Sequence, residues 1–164
     1  MRVFVEHHQR AVFALLSRIL GQRPEVEDLA QETFLRAIRA LPGFAVDGPA
    51  RPSTWLLTIA TRLALDVCRR RTREQRSPLA AEPVSASTPE HEAQRSELRD
   101  AIASAIEELP RDQRAAFVLA EFHGFAIEDI ATALQTRKST VKTRLFRARA
   151  KLARALAHHR GQAE

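Results

Sequence analysis

Apolar residues recur along this chain at three- and four-residue steps, the spacing of one face of a helix. The pattern is sharpest between Ala126 and Leu156. Ile127, Ile130, Ala131 and Leu134 predict a short helix; Val141, Leu145, Ala148, Leu152 and Leu156 predict the apolar stripe of a second. Gln135-Thr136-Arg137 interrupts the period, and Thr136 is placed to cap the second helix. Opposite the second stripe lie Ser139, Thr143 and Arg147, with Thr140, Lys151 and Arg154 beside them. The same helix carries Lys138, Lys142, Arg144 and Arg149 and no acidic residue. Two helices about a tight turn, the second offering cations to phosphates and short hydroxyls to base edges, make a helix-turn-helix. A solvated basic face is the competing explanation, but the short helix before the turn, the capping Thr and the one-signed face together favour DNA binding. Phe146 lies off the stripe and either packs on a neighbour or meets a thymine methyl group.

Upstream, the period predicts five further helices. Val3 to Leu20 turns Val5, Val12, Leu15, Leu16, Ile19 and Leu20 inward and ends at Gly21, a C-cap glycine. Pro24 to Leu41 opens with Glu25, Glu27 and Asp28, which suit a helix N-terminus, and stops at Pro42-Gly43. Val26, Leu29, Ala30, Thr33 and Ala37 face inward there. Phe34 and Ile38 lie on a flank with Asp28, Gln31, Glu32 and Leu35, a mixed surface that is either a solvated face with a slightly exposed Phe or a protein-docking surface, since an apolar centre rimmed by charge is how helix interfaces are built.

Phe44 to Pro52 is a Gly/Pro/Ala loop. Ser53 and Thr54 offer N-caps to a long helix with Leu56, Ile59, Leu63 and Val67 inward. Arg69, Arg70, Arg71, Arg73 and Arg76 crowd its end, more cations than a helix dipole needs, which suggests phosphate contact. Trp55 is either a core anchor or a wedge for an unstacked base. Ser77 to about Gln94 has three prolines, small polar residues and acids without an apolar period, as a linker does. Ser96 to Leu109, with Leu98, Ile102, Ile106 and Leu109 inward, and Arg111 to Phe125, with Ala115, Phe117, Val118, Leu119 and Phe122, complete the helices before the helix-turn-helix.

The expected fold is therefore all-α: two small helical domains, residues 1–76 and 96–164, joined by an acidic linker over 77–95. Charge follows the same division. Residues 1–76 hold 13 basic and 8 acidic side chains, residues 77–97 hold 1 and 4, and residues 98–164 hold 12 and 8, for +6 over 164 residues. Two basic lobes about an acidic middle suit a polyanionic partner. The one cysteine, Cys68, excludes an internal disulfide and a multi-cysteine metal site. Six scattered histidines share no metal-ligand spacing with carboxylates, and neither a Gly-rich phosphate loop nor a nucleophile elbow occurs, so no enzyme activity and no cofactor are expected. Without a signal peptide or a long apolar run, a cytoplasmic location is expected.

Four segments, PEVEDLAQETFLRAIRALPGF, STWLLTIATRLALDVCRRR, IEELPRDQRAAFVLAEFHGFAIEDIATAL and STVKTRLFRARAKL, in this order and spanning nearly the whole chain, resemble the extracytoplasmic-function (group IV) sigma factors of the sigma-70 family. The resemblance implies a promoter-specificity subunit that docks on core RNA polymerase, through the clamp helices of the largest subunit and the flap. At positions matching the clamp-docking surface stand Asp28, Gln31, Glu32, Phe34 and Ile38. It implies recognition and melting of the minus-10 element by the loop around Asp47 to Arg51, then Ser53, Thr54, Trp55, Thr58 and Arg62, with Arg69, Arg70 and Arg71 near the backbone. Extruding a base costs a few kcal/mol, which a stacking pocket and phosphate-neutralising arginines offset. It implies minus-35 recognition by Lys138, Ser139, Thr140, Lys142, Thr143, Arg144 and Arg147, and regulation by an anti-sigma partner, with sensing left to another protein because no ligand-binding extension follows Leu156. The chain departs from the family in two places that touch DNA specificity. Arg62 stands where Asn is frequent, and Gln135-Thr136-Arg137, followed by Lys138-Ser139, replaces a turn that usually carries Gly, an apolar residue and Pro. A stand-alone helix-turn-helix regulator is the second reading, which leaves the Asp28 to Ile38 surface idle. A nucleic-acid-processing enzyme or RNA-binding scaffold is the third.

Overall fold

The computed structural model describes residues 2–21, 23–44, 51–75 and 93–157. The chain is all-α, with seven α-helices and one short 3₁₀ turn among these residues: α1 (Arg2–Leu20), α2 (Glu25–Ala40), the turn Leu41–Gly43, α3 (Pro52–Gln75), α4 (Ala93–Glu107), α5 (Arg111–His123), α6 (Ile127–Ala133) and α7 (Lys138–Ala155). The loop around Asp47 and most of the stretch expected as a linker lie outside the described residues.

Helix α3 is the centre. It packs on α1 and α2 on one side and meets α5 and α6 on the other. This explains why its buried set (Leu56, Leu57, Ala60, Thr61, Leu63, Ala64, Leu65 and Val67) is wider than the stripe its period predicts, while Ile59 is only half-buried. A helix covered on two sides is apolar around more of its circumference than one covered on one side. The buried hydroxyls are satisfied within their own helices: Thr33 Oγ1 donates to the Leu29 carbonyl at 2.7 Å, and Thr61 Oγ1 to that of Leu57 at 2.8 Å.

Several helix ends differ from the sequence expectation. Helix α3 starts at Pro52, whose fixed φ and missing N–H suit the first helical position, and the Trp55 N–H reaches the Arg51 carbonyl at 3.0 Å. Ser53 and Thr54 thus lie inside the first turn and are not its caps. Thr136 does not cap α7 either; Arg137 occupies that position, extended, without a side-chain cap bond. Helix α4 begins at Ala93 and ends at Glu107, and its Leu98 is exposed, as is Phe122 on α5. Phe34 moves the opposite way: expected on an open flank, it is 9% exposed and belongs to the core. Gly21 and Gly124 end α1 and α5 with φ of +83° and +65°, the left-handed region glycine tolerates best.

The C-terminal helices form the expected pair about a turn. Ile130, Ala131, Ala133 and Leu134 of the first segment and Val141, Leu145, Ala148 and Leu152 of α7 are buried. Two ion pairs add direction to this packing, Arg144 to Asp112 at 2.8 Å and Arg149 to Glu121 at 2.7 Å, both tying α7 to α5.

Candidate nucleic-acid interface

Three surfaces collect the residues of interest. On α7, the apolar stripe fixes the roll of the helix, so Lys138, Ser139, Lys142, Thr143 and Arg147 are exposed and Thr140 is half-buried. The cations are not equivalent. Lys138 pairs with Glu128 of α6 at 2.8 Å, and its ammonium holds the Glu128 carboxyl below the usual carboxylate range. Arg144 is committed to Asp112, whereas Arg147 stands exposed on the outward face. Phe146 is 74% exposed, on the open flank of the same helix. The turn before α7 places Gln135 at φ +51°, left-handed without being glycine.

On α3, Thr54, Thr58 and Arg62 fall on one face at four-residue steps, a line of about 12 Å at 1.5 Å per residue, and Arg70 lies two turns further on, rotated towards another side. Thr58, half-buried, donates its Oγ1 hydroxyl to the Thr54 carbonyl at 2.8 Å. Arg51 and Arg62 are exposed, and Arg62 donates from Nη2 to the Thr132 carbonyl of α6 at 3.0 Å. Arg69 pairs with Asp66 at 2.8 Å and Arg71 with Glu25 of α2 at 2.7 Å, while Arg70 is exposed. The Arg71 guanidinium hydrogen bond lowers the pKa of Glu25. Trp55 is half-buried with its ring 4.6 Å from that of Phe44; with Phe4, Val5, Phe34, Ile38 and Leu41 it lines an open apolar cleft of about 160 Å³. The anchor role is thus filled in part.

On α2, Asp28, Gln31, Leu35 and Ile38 are exposed and Glu32 pairs with Arg36 at 2.7 Å. Phe34 underlies this patch from the core and helps to line the cleft.

The chain matches the family profile of Sigma-70 region 2 over residues 4–74 and that of Sigma-70, region 4 over residues 99–152. It is 34% identical to the RNA polymerase sigma-H factor of Pseudomonas aeruginosa across 94% of this chain and 84% of that one. The chain belongs to the extracytoplasmic-function sigma factors of the sigma-70 family. It is also 34% identical to the ECF RNA polymerase sigma-E factor of Escherichia coli, over 90% of this chain and 81% of that one. With the ECF sigma factor SigE of Mycolicibacterium smegmatis it shares 34% identity over 94% of its own length but spans 61% of that relative. Among solved structures it resembles the sigma factor RpoE in complex with the anti-sigma factor NepR from Bartonella quintana, with a TM-score of 0.77, 26% identity and 95% and 96% of the two chains covered. CnrH in complex with the cytosolic domain of CnrY gives a TM-score of 0.64, 28% identity and 94% and 86% coverage.

Within this sigma factor the region 2 match takes in the α2 and α3 surfaces and the region 4 match takes in α7. The helical period has no means of finding Asp112 and Glu121, which commit two arginines of α7, because they lie on α5, 32 and 28 residues away. Nor does it single out Arg114. The guanidinium of that residue donates to the carbonyls of Ile19 at 3.1 Å, Leu109 at 3.2 Å and Glu107, and burial lowers its pKa. Among the described residues, no helix is long and apolar enough to cross a membrane, and no group of three or more His, Cys, Asp or Glu is placed to hold a metal ion.

Proposed function

We propose that this sigma factor divides its work between residues 1–76 and 96–164, with 77–95 as the connection. As a member of its family it is a promoter-specificity subunit of RNA polymerase, and the observation that carries the residue-level reading is the coincidence of three differently built surfaces with two family regions. Asp28, Gln31, Glu32 and Ile38, backed by Phe34, dock on the clamp helices of the core enzyme: an apolar patch with a charged rim is how protein interfaces are built. The α3 line from Arg51 to Arg71 binds the minus-10 element. Thr54, Thr58 and Arg62 face the bases, Trp55 offers a ring edge to an unstacked base, and Arg70 is the least committed backbone cation of its cluster. The exposed face of α7 enters the major groove at the minus-35 element, with Ser139 and Thr143 towards base edges and Lys142 and Arg147 towards phosphate.

Its work is binding, not covalent chemistry: energy from both promoter elements stabilises melted DNA. It acts in the cytoplasm, where polymerase and promoter are. An anti-sigma partner holds it inactive, as the sigma factor RpoE solved in complex with the anti-sigma factor NepR suggests. A stand-alone regulator is not favoured, since region 2 spans 71 residues that such a protein does not need. The test is co-purification with core RNA polymerase followed by run-off transcription from a genomic promoter library. Association, with transcripts that share a two-part upstream motif, is expected; DNA binding without association overturns the reading.

A further inference from the structure

A cleft of about 650 Å³ lies between α1 and α4, and no residue of α2, α3 or α7 lines it. Its apolar lining is Phe13 and Ala14 of α1, Ile102, Ala103 and Ile106 of α4, and Phe122 of α5. Phe13 is 40% and Phe122 42% exposed, and Leu98, one turn before Ile102 on α4, is 46% exposed. Single exposed apolar residues are ordinary on a protein surface, but three of them about one concavity are what a ligand groove presents. Two arginines supply the cations, Arg18 and Arg99. Arg18 donates from Nη1 to the Ala14 carbonyl at 3.1 Å and lies 4.3 Å from the Phe122 ring centre, and Arg99 is exposed. Neither enters an ion pair among the described residues. A guanidinium that stacks on a ring by its face still donates by its edge. The acid of the lining is Glu107, whose Oε1 lies 3.6 Å from where a Cβ on Gly21 would stand, at the end of α1. Two cations and one anion leave the cleft one positive charge.

We propose that this cleft is a binding site for an amphipathic monoanion, an acyl chain ending in a carboxylate, with the chain along Phe13, Ile102, Ile106 and Phe122 and the head group on the arginines. The size suits a small molecule, since ligand pockets run from about 300 to 1,000 Å³ and are mostly apolar with a few polar groups that orient the ligand. It is too small for a partner helix: two turns, about 11 Å long and 10 Å across, fill roughly 850 Å³. Charge selects the head group. One carboxylate balances the single net positive charge, and an arginine edge receives it through two parallel hydrogen bonds. The chain covers the two phenylalanine rings that the packing of α1, α4 and α5 leaves open. The inference goes beyond the promoter-specificity reading. It gives the chain a small-molecule input of its own, built from helices of the common fold, where the sequence alone leaves all sensing to another protein.

The experiment is isothermal titration calorimetry of the full chain with sodium decanoate below its critical micelle concentration. Decan-1-ol and decyltrimethylammonium serve as the same chain without charge and with the opposite one. Decanoate should bind one to one and raise the thermal midpoint as its concentration rises, and the other two should bind at least about tenfold more weakly. Ala103→Trp, at an exposed position on the α4 wall, should fill the cleft and abolish binding. Arg99→Gln and Arg18→Gln should each weaken decanoate severalfold and leave decan-1-ol unchanged. No saturable binding, equal affinity for the three amphiphiles, or unchanged decanoate affinity in any of the three variants overturns the site. Arg99→Gln, a solvent-exposed change, decides the matter if Ala103→Trp unfolds, because loss of affinity for decanoate but not for decan-1-ol reads the head-group contact alone.

Discussion

Arg144 of α7 donates a 2.8 Å hydrogen bond to Asp112 of α5, so one of the cations that the helix pattern offers to DNA is already held by a carboxylate. Arg147, three residues on and exposed, is not so held. The two should therefore differ in salt dependence. Each phosphate-neutralising cation adds about 0.9 to the slope of log affinity against log salt. Arg147→Ala should flatten the slope of binding to the mapped minus-35 duplex by about one, and Arg144→Ala by clearly less. Asp112→Ala, which liberates Arg144, should steepen it. Equal slopes for the two arginine variants would show that Asp112 surrenders Arg144 on binding.

Gln135 holds φ +51° in the turn before α7. A left-handed residue with a Cβ costs about 1–2 kcal/mol, and glycine avoids most of that at an entropic cost below about 1 kcal/mol. Gln135→Gly should raise stability by about 1 kcal/mol, a rise in melting midpoint of about 2–4 °C. Differential scanning calorimetry decides it. A lower midpoint would mean that contacts of the Gln135 side chain outweigh the backbone strain.

Asp28 and Glu32 rim the exposed Leu35 and Ile38 of α2, and Glu32 spends one oxygen on Arg36. Reversal of both charges, Asp28→Lys with Glu32→Lys, should abolish association with core polymerase while the thermal midpoint moves by less than about 2 °C, because exposed pairs contribute little to folding. Surface plasmon resonance against immobilised core enzyme reads the first outcome. Retained association would move docking to another surface.

His123, at the end of α5, is half-buried with Nε2 unpaired, and burial with the nearby Arg18 pushes it down to about 4. In the unfolded chain the same imidazole titrates near 6.5. Between these values the unfolded state binds the extra proton, so this contribution is complete above about pH 6.5 and is lost as pH falls towards 4. His8, also lowered by burial and by His7, adds the same sign. Glu25 and Glu128 are lowered as well and act only below the usual carboxylate range, so the interval from pH 7 to pH 5 isolates the histidines. The wild-type midpoint should drop by on the order of 3 °C across that interval and that of His123→Asn by less. Identical drops would assign the pH dependence elsewhere.

Local pattern was enough for the helices and for the nature of the basic faces. Periods of three and four, Gly21 and Gly124 after the last turns, and seven cations without an acid on α7 are properties of neighbours in the chain, so each helix, and the family, could be read without coordinates. Tertiary structure decided what each side chain is left free to do. Phe34 is covered because α2 lies against α1 and α3, a fact about three helices. Arg144, Arg149 and Arg71 are committed to carboxylates 32, 28 and 46 residues distant, and Arg114 and Arg62 to carbonyls 95 and 70 residues away. A helix period fixes the direction in which a guanidinium leaves its own helix. Whether it then meets water, DNA or a carbonyl of another helix depends on how the helices pack, and that is set by the shape of the whole core.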